Sequence, residues 1–169
     1  DKAREMGKAT SFSAKEAADG LSYMALAGWD INQMLGGIEP ILRLAEAGAM
    51  DLATASDLVT DSMGGLKLEV SDLNRYLDVV AKTSQKTNTS AQELLEAFIN
   101  VGATTSNLGI SLAESSAALG VLANNGTKGA EAGTKLNSIL TRMTAQSTIA
   151  SGAWESIGVS VYDAEGNFR

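Results

Sequence analysis

The chain has 169 residues, of which 44% are hydrophobic and 20% charged, a size and balance that suit one globular domain with a real core. It contains no cysteine and no histidine, which excludes disulfides, thiolate metal sites, the commonest metal ligand and the usual general base near neutral pH. Its net charge of −7, with the basic residues scattered, argues against a nucleic-acid-binding surface.

The first segment, Asp1 to about Thr10, is charged and reads as the tail of a helix; with no initiator methionine before Asp1, the sequence reads as a piece of something longer. Ser13 and Glu16 have the spacing of a capping box, in which a hydroxyl and a carboxylate satisfy backbone N–H groups at a helix start. The helix that follows carries Ala17, Leu21, Met24, Ala25 and Gly28 on one face. Asp30 caps a short helix with Ile31, Met34, Leu35 and Ile38. Pro40 cannot donate a backbone hydrogen bond, so a break near Gly37 to Glu39 and a new helix from Pro40 to Ala47 are expected. Gly48 ends that helix. Asp51 opens another, with Leu52, Ala55, Val59 and Met63, which the Gly64-Gly65 pair is expected to stop. Leu66 and Leu68 fall in a connector. Leu73, Tyr76, Leu77, Val80 and Ala81 then form a strong amphipathic stripe.

Two more capping boxes, Ser90 with Glu93 and Ser111 with Glu114, bracket the centre of the chain. The first opens a helix with Leu94, Leu95, Phe98, Val101 and Gly102 on one face. The second opens a helix whose run from Ala117 to Ala123 is apolar all round, so it is either buried at the centre of the domain, the favoured reading, or shared with another subunit. Asn124, Asn125 and Gly126 stop it. Gly129 to Gly133 lead into a third helix with Ala132, Leu136, Ile139, Leu140 and Met143 as its stripe. Leu119, Leu122, Leu136, Ile139, Leu140 and Met143 are the candidate packing or assembly face. Trp154 and Ile157 suit a last short helix. Val159, Val161 and Phe168 flank a turn from Asp163 to Asn167 and read as a β-hairpin stub over residues 159–169.

The order of Ser13-Glu16, Leu44-Ala45, Gly48 and Met63 is echoed about 77 to 80 residues later by Ser90-Glu93, Leu122-Ala123, Gly126 and Met143. A pseudo-repeat of 10–63 in 88–143 is one reading; punctuation common to helical proteins is the other.

Three groupings imitate chemistry without supplying it. Gly126 to Lys135 is rich in glycine, but Gly129 and Gly133 are a residue too close for a phosphate-binding loop, Thr134 precedes Lys135, and no strand leads in. Asp57 and Asp61 lie one helical turn apart with no histidine to join them, as a solvated face requires. Asp163, Glu165 and Asn167 alternate like the opening of a calcium loop, yet Gly166 is misplaced and no closing glutamate follows. Trp29 and Trp154 suit core anchors better than ligand platforms. No catalytic, cofactor-binding or metal-binding residue is assigned.

Asn88-Thr89-Ser90, Val101-Gly102, Ala117 to Asn124, and Lys128-Gly129 through Ala132-Gly133-Thr134 to Leu140-Thr141-Arg142 resemble the core region of phage tail tape measure proteins. Phe12-Ser13-Ala14, Ala25 to Trp29, Asp51-Leu52-Ala53 with Ala55-Ser56-Asp57, and Gly158 to Ala164 with Gly166-Asn167 extend the likeness over nearly the whole chain. Ala103 departs from it, because members of that family often carry proline after the Val-Gly pair.

The residues themselves give an all-α fold, a compact bundle of about seven mostly short helices over residues 1–158, ended by the hairpin stub. The resemblance implies a structural protein, not an enzyme, whose longer parent, with coiled-coil segments, sets tail length. In that family the parent scaffolds polymerisation of the tail tube and leaves the tail lumen before the DNA. It implies the tail tube protein and tail assembly chaperones as partners; the apolar run from Ala117 to Ala123 adds self-association as a further contact, the charge argues against specific nucleic-acid binding, and membrane contact is expected only through parts outside this segment. It also implies the virion tail lumen, and the host cytoplasm during assembly, as location. The alternative is a membrane-interacting or generic helical interaction module. Against a membrane surface, the stripe from Ala132 to Met143 carries only Lys135 and Arg142 as basic residues.

Overall fold

A computed structural model describes residues 1–144, 153, 154, 156–160 and 163. Among them are eight α-helices: α1 (Lys2–Ala9), α2 (Ala14–Leu26), α3 (Ile31–Gly48), α4 (Leu52–Leu66), α5 (Leu73–Lys86), α6 (Ala91–Asn107), α7 (Leu112–Asn124) and α8 (Gly129–Thr144), with a 3₁₀ turn at Val70–Asp72. The described residues contain no strand. Most of the hairpin expected over 159–169 lies outside them, and Val159, Ser160 and Asp163, which are described, belong to no ladder, since a strand needs a second one to pair with.

The helices form two layers. Helix α4 packs between α2 and α6, and α6 between α4 and α8, giving a row α2–α4–α6–α8. The second row is α3–α5–α7, each helix lying against its neighbours in that row; α3 and α7 also pack on the helices before and after them in sequence, and α5 on α6. Helix α1 packs on α2. Contacts therefore link each helix mainly to the next one or two along the chain, the pattern of stacked helical pairs. Helices of the first row start at residues 14, 52, 91 and 129, so one begins every 38 or 39 residues.

Small residues let the first row close up. A Cβ on Gly102 of α6 would lie 3.0 Å from the Leu66 backbone nitrogen of α4, and one on Gly133 of α8 would lie 2.2 Å from the Ala97 carbonyl oxygen of α6. A Cβ on Gly20 of α2 would lie 2.9 Å from the Leu52 side chain and 3.2 Å from Ser56 Oγ of α4. Around these seams Val59, Met63, Leu94, Leu95, Phe98 and Val101 are buried. The rows are joined at Tyr76 of α5. Its ring meets Phe98 edge-on, with centroids 5.7 Å apart, and its hydroxyl lies 2.7 Å from Ser62 Oγ of α4. Burial pushes that hydroxyl's pKa well above the ordinary tyrosine range, so it stays neutral and available for the hydrogen bond.

Several boundaries differ from the expectations. Helix α3 runs unbroken from Ile31 to Gly48 with Pro40 inside it, because the residue four back, Gly36, faces solvent, where water can take the carbonyl that the proline leaves without a donor. Helix α4 does not stop at Gly64-Gly65 but ends at Leu66, where Lys67 takes a left-handed conformation at φ 56°. Gly65 instead faces the α6 backbone. The described residues hold eight α-helices where about seven were expected: the two segments around Pro40 merge into one, and α1, read only as the tail of a helix, stands as a helix of its own.

Candidate assembly surface

The helix starts are held by local chemistry. Ser13 Oγ accepts from Glu16 N at 3.2 Å while Glu16 Oε2 accepts from Ser13 N at 2.8 Å. The corresponding distances are 3.1 and 2.8 Å for Ser90 with Glu93, and 3.3 and 2.9 Å for Ser111 with Glu114. The Ser13 N–H and then its hydroxyl hold the Glu16 carboxyl below its ordinary pKa, and the Ser111 hydroxyl and then its N–H do the same for Glu114. At Glu93 burial pushes the pKa up, but the Ser90 N–H, the Thr89 hydroxyl and Lys128 together outweigh it and the net shift is downward. A further box joins Asp30 and Gln33, at 2.9 and 2.8 Å. Sequence reading found Asp30 as a cap but missed the returning glutamine, although the Asp-x-x-Gln spacing carried the signal.

The six residues of the candidate face do not share one environment. Leu119 of α7 and Leu136 and Leu140 of α8 are buried inside the domain, Leu122 and Met143 are half-buried, and Ile139 is exposed. Helix α7 has Leu119, Gly120 and Ala123 inward, while Ala117 and Val121 face solvent. The run that reads as apolar all round is therefore inward on one side and open on the other.

Of the residues flagged as imitations of chemistry, Lys128 and Lys135 hold structural contacts, while Glu165 and Asn167 of the calcium-like run lie outside the described residues. Lys128 Nζ donates to Asn88 Oδ1 at 3.1 Å, and the Asn88 N–H donates to Asn124 Oδ1 at 2.8 Å, which ties α7 and α8 to the start of α6. Lys135 pairs with Glu131 at 2.7 Å. Asp57 and Asp61 are exposed. No group of three or more His, Cys, Asp or Glu residues placed to hold a metal occurs among the described residues. Trp29 plugs the α2–α3 corner, its ring lying where a Cβ on Gly37 would stand.

Two surface features escaped the sequence reading. At the α2–α3 corner Leu26 is 84% and Ile31 70% exposed, with Tyr23 and Leu35 also open to solvent. Helix α3 turns Gly37, Ile38, Ile41, Leu42 and Ala45 inward, so the stripe that begins at Ile31 and Leu35 points outward. Between α5 and α7 runs a groove of about 320 Å³ lined by Val79, Lys82, Thr83, Lys86, Ala113 and Ser116 among others. No periodicity within one helix reports a gap between two.

A family profile described as phage-related minor tail protein matches residues 1–169. The chain belongs to that family. It is 34% identical over 163 residues to the tape measure protein of Pneumococcus phage Dp-1, covering 96% of this chain and 14% of that protein. It is 27% identical over 167 residues to a probable tape measure protein of Escherichia phage P2, covering 99% of this chain and 20% of that protein. The chain thus spans about a fifth or less of the length of these relatives. No solved structure gives a significant match. Among the described residues no helix is long and apolar enough to cross a membrane.

Proposed function

We propose that this chain is a folded structural segment of a phage tail tape measure protein. In this reading its parent sets tail length, scaffolds polymerisation of the tail tube around itself, and leaves the lumen ahead of the DNA. The observation that carries it is the likeness, along nearly the whole chain, to two phage proteins named as tape measures. The stacked helical pairs fit a segment that folds compactly, with length set by extended helical stretches elsewhere in the parent, where each added residue lengthens the tail by about 1.5 Å. The net charge of −7 is consistent with sharing a tube with DNA without adhering to it. The tail tube protein and the tail assembly chaperones are its partners in this reading. It resides in the host cytoplasm during assembly and in the tail lumen afterwards.

The test is genetic and visual. Val59→Asp, which places a charge in the core of this segment, is introduced into the parent gene, and particles are examined by electron microscopy beside a parent shortened outside the segment. The expected result is loss of tails in the first case and proportionally shorter tails in the second. Normal tails with the segment unfolded overturn the reading.

A further inference from the structure

The corner and the groove described above are complementary. At the corner, Leu26, Ile31, Leu35 and Tyr23 form an exposed apolar knob at the tip of the α2–α3 pair. The sequence from Glu16 to Leu42, which contains that knob, holds Glu16, Asp19, Asp30 and Glu39 and no lysine or arginine. Of these, Asp19 and Asp30 flank the knob and are exposed. The groove has the opposite character. Val79, Ala113, Ala117 and the Thr87 side chain give it apolar walls, and Lys82 and Lys86, one turn apart and exposed, stand on its rim. Along α5 no acidic residue follows Asp78, which stands one turn before Lys82, and on α7 the Glu114 carboxylate, like that of Asp30 at the corner, caps its own helix. Neither lysine forms an ion pair among the described residues. Ser116, also lining the groove, is buried with no hydrogen-bond partner for its Oγ. The two features share no residue, although α3 of the corner packs on α5 of the groove.

We infer that the α2–α3 corner of one copy of this chain docks into the α5–α7 groove of a second copy, with Leu26 and Ile31 on the apolar walls and Asp19 and Asp30 facing Lys82 and Lys86. An acidic apolar knob and a basic apolar slot on one molecule make a head-to-tail contact. Such a contact uses a different surface on each partner, so every copy added presents a free corner and a free groove, and growth continues unless the rotation closes a ring. Opposite charge on the two surfaces speeds and orients the encounter and makes it sensitive to salt, while the buried apolar side chains carry the affinity. This goes beyond the proposed tail role and does not depend on it, because its readout is association of the purified chain.

The test is sedimentation equilibrium of the 169-residue chain up to about 1 mM, with helicity followed by circular dichroism. Two double variants are compared with it: Lys82→Glu with Lys86→Glu in the groove, and Leu26→Lys with Ile31→Ser at the corner. All four side chains are exposed, so both variants are expected to keep the wild-type helicity. Wild type is expected to grow beyond the dimer as concentration rises, and to do so less in about 0.5 M salt. Each variant alone is expected to be monomeric. An equimolar mixture of the two, which offers one intact corner and one intact groove, is expected to form a one-to-one dimer and nothing larger. A wild type that stays monomeric, an association that either variant leaves unchanged, or a mixture that forms no dimer overturns the inference. None of these outcomes touches the tail-length experiment.

Discussion

The two rows of helices are built from the same kinds of residue and packed to different ends. In the row α2–α4–α6–α8, small residues sit where the helices cross, and at the α4–α6 and α6–α8 seams the backbones meet directly. In the row α3–α5–α7 the helices stand farther apart, leaving the 320 Å³ groove between α5 and α7 and one of about 200 Å³ between α3 and α5 lined by Pro40, Leu44, Ala47 and Leu77. One close approach does occur there, at Gly120, but it meets the methyl end of Thr87, a side chain that can shift. Unequal spacing of two layers is what curves a stack of helical pairs. The tight row supplies stability, and the open row supplies surface.

The sharpest break of this contrast is a single methyl group at three glycines. Gly133→Ala drives a Cβ into the Ala97 carbonyl and is expected to cost about 3 kcal/mol or more, despite the roughly 1 kcal/mol that alanine gains over glycine in a helix. Gly120→Ala asks only Thr87 to move, and the two effects should cancel to within about 1 kcal/mol. Gly64→Ala meets nothing within 4 Å and should stabilise by about 0.5–1 kcal/mol. Urea denaturation of the three variants measures the order. Equal losses at Gly133 and Gly120 would remove the distinction between the rows.

The same glycines explain what the sequence disclosed. Capping boxes at Ser13, Ser90 and Ser111 were legible because the hydroxyl, the carboxylate and the N–H groups they satisfy lie within four residues of one another. Gly64-Gly65 was misread as a stop because a glycine that ends a helix and a glycine that admits a neighbouring backbone look alike until α6 is in place. Pro40 was misread for the converse reason: its penalty depends on whether the carbonyl of Gly36 meets water or protein, and that is decided by the whole fold. The candidate face on α7 and α8 was read from stripes alone, which is why it mixes buried Leu119 with exposed Ile139. The corner and the groove belong to pairs of helices, so neither had a signature within one.

Between the rows, Tyr76 is the joint. Tyr76→Phe keeps the ring contact with Phe98 and removes only the hydroxyl, while Ser62 can still donate to the Val59 carbonyl at 3.1 Å. The expected cost is about 1 kcal/mol, read from the urea midpoint. A loss as large as that of Gly133→Ala would shift the weight of stability from the seam to the joint. Ser90→Ala, which frees the Glu93 N–H at the start of α6, should cost a similar amount, about 1 kcal/mol.

The smallest effect is expected from acid. Glu16, Glu93 and Glu114 all have folded-state pKa values lowered from the ordinary glutamate value, so each binds a proton more weakly in the folded chain than in the unfolded one. Their contribution is fully present above the unfolded pKa of about 4.3 and is lost as pH falls through the lowered folded values. Stability should therefore be flat from neutral pH down to about pH 5 and decline below it. Glu93→Gln keeps an acceptor for the Ser90 N–H but removes the charge, and should flatten part of that decline, since Glu93 also faces Lys128 from the start of another helix, whereas the lysine near Glu16 is its own neighbour Lys15 and Glu114 has none. Glu114→Gln, at the start of a helix in the open row, should leave the Lys128 contact untouched and flatten only its own share. Urea midpoints at about pH 7 and pH 3 for the two variants separate the contributions. If Glu114→Gln removes as much of the acid sensitivity as Glu93→Gln, the tie through Lys128 between the start of α6 and α8 adds nothing to it.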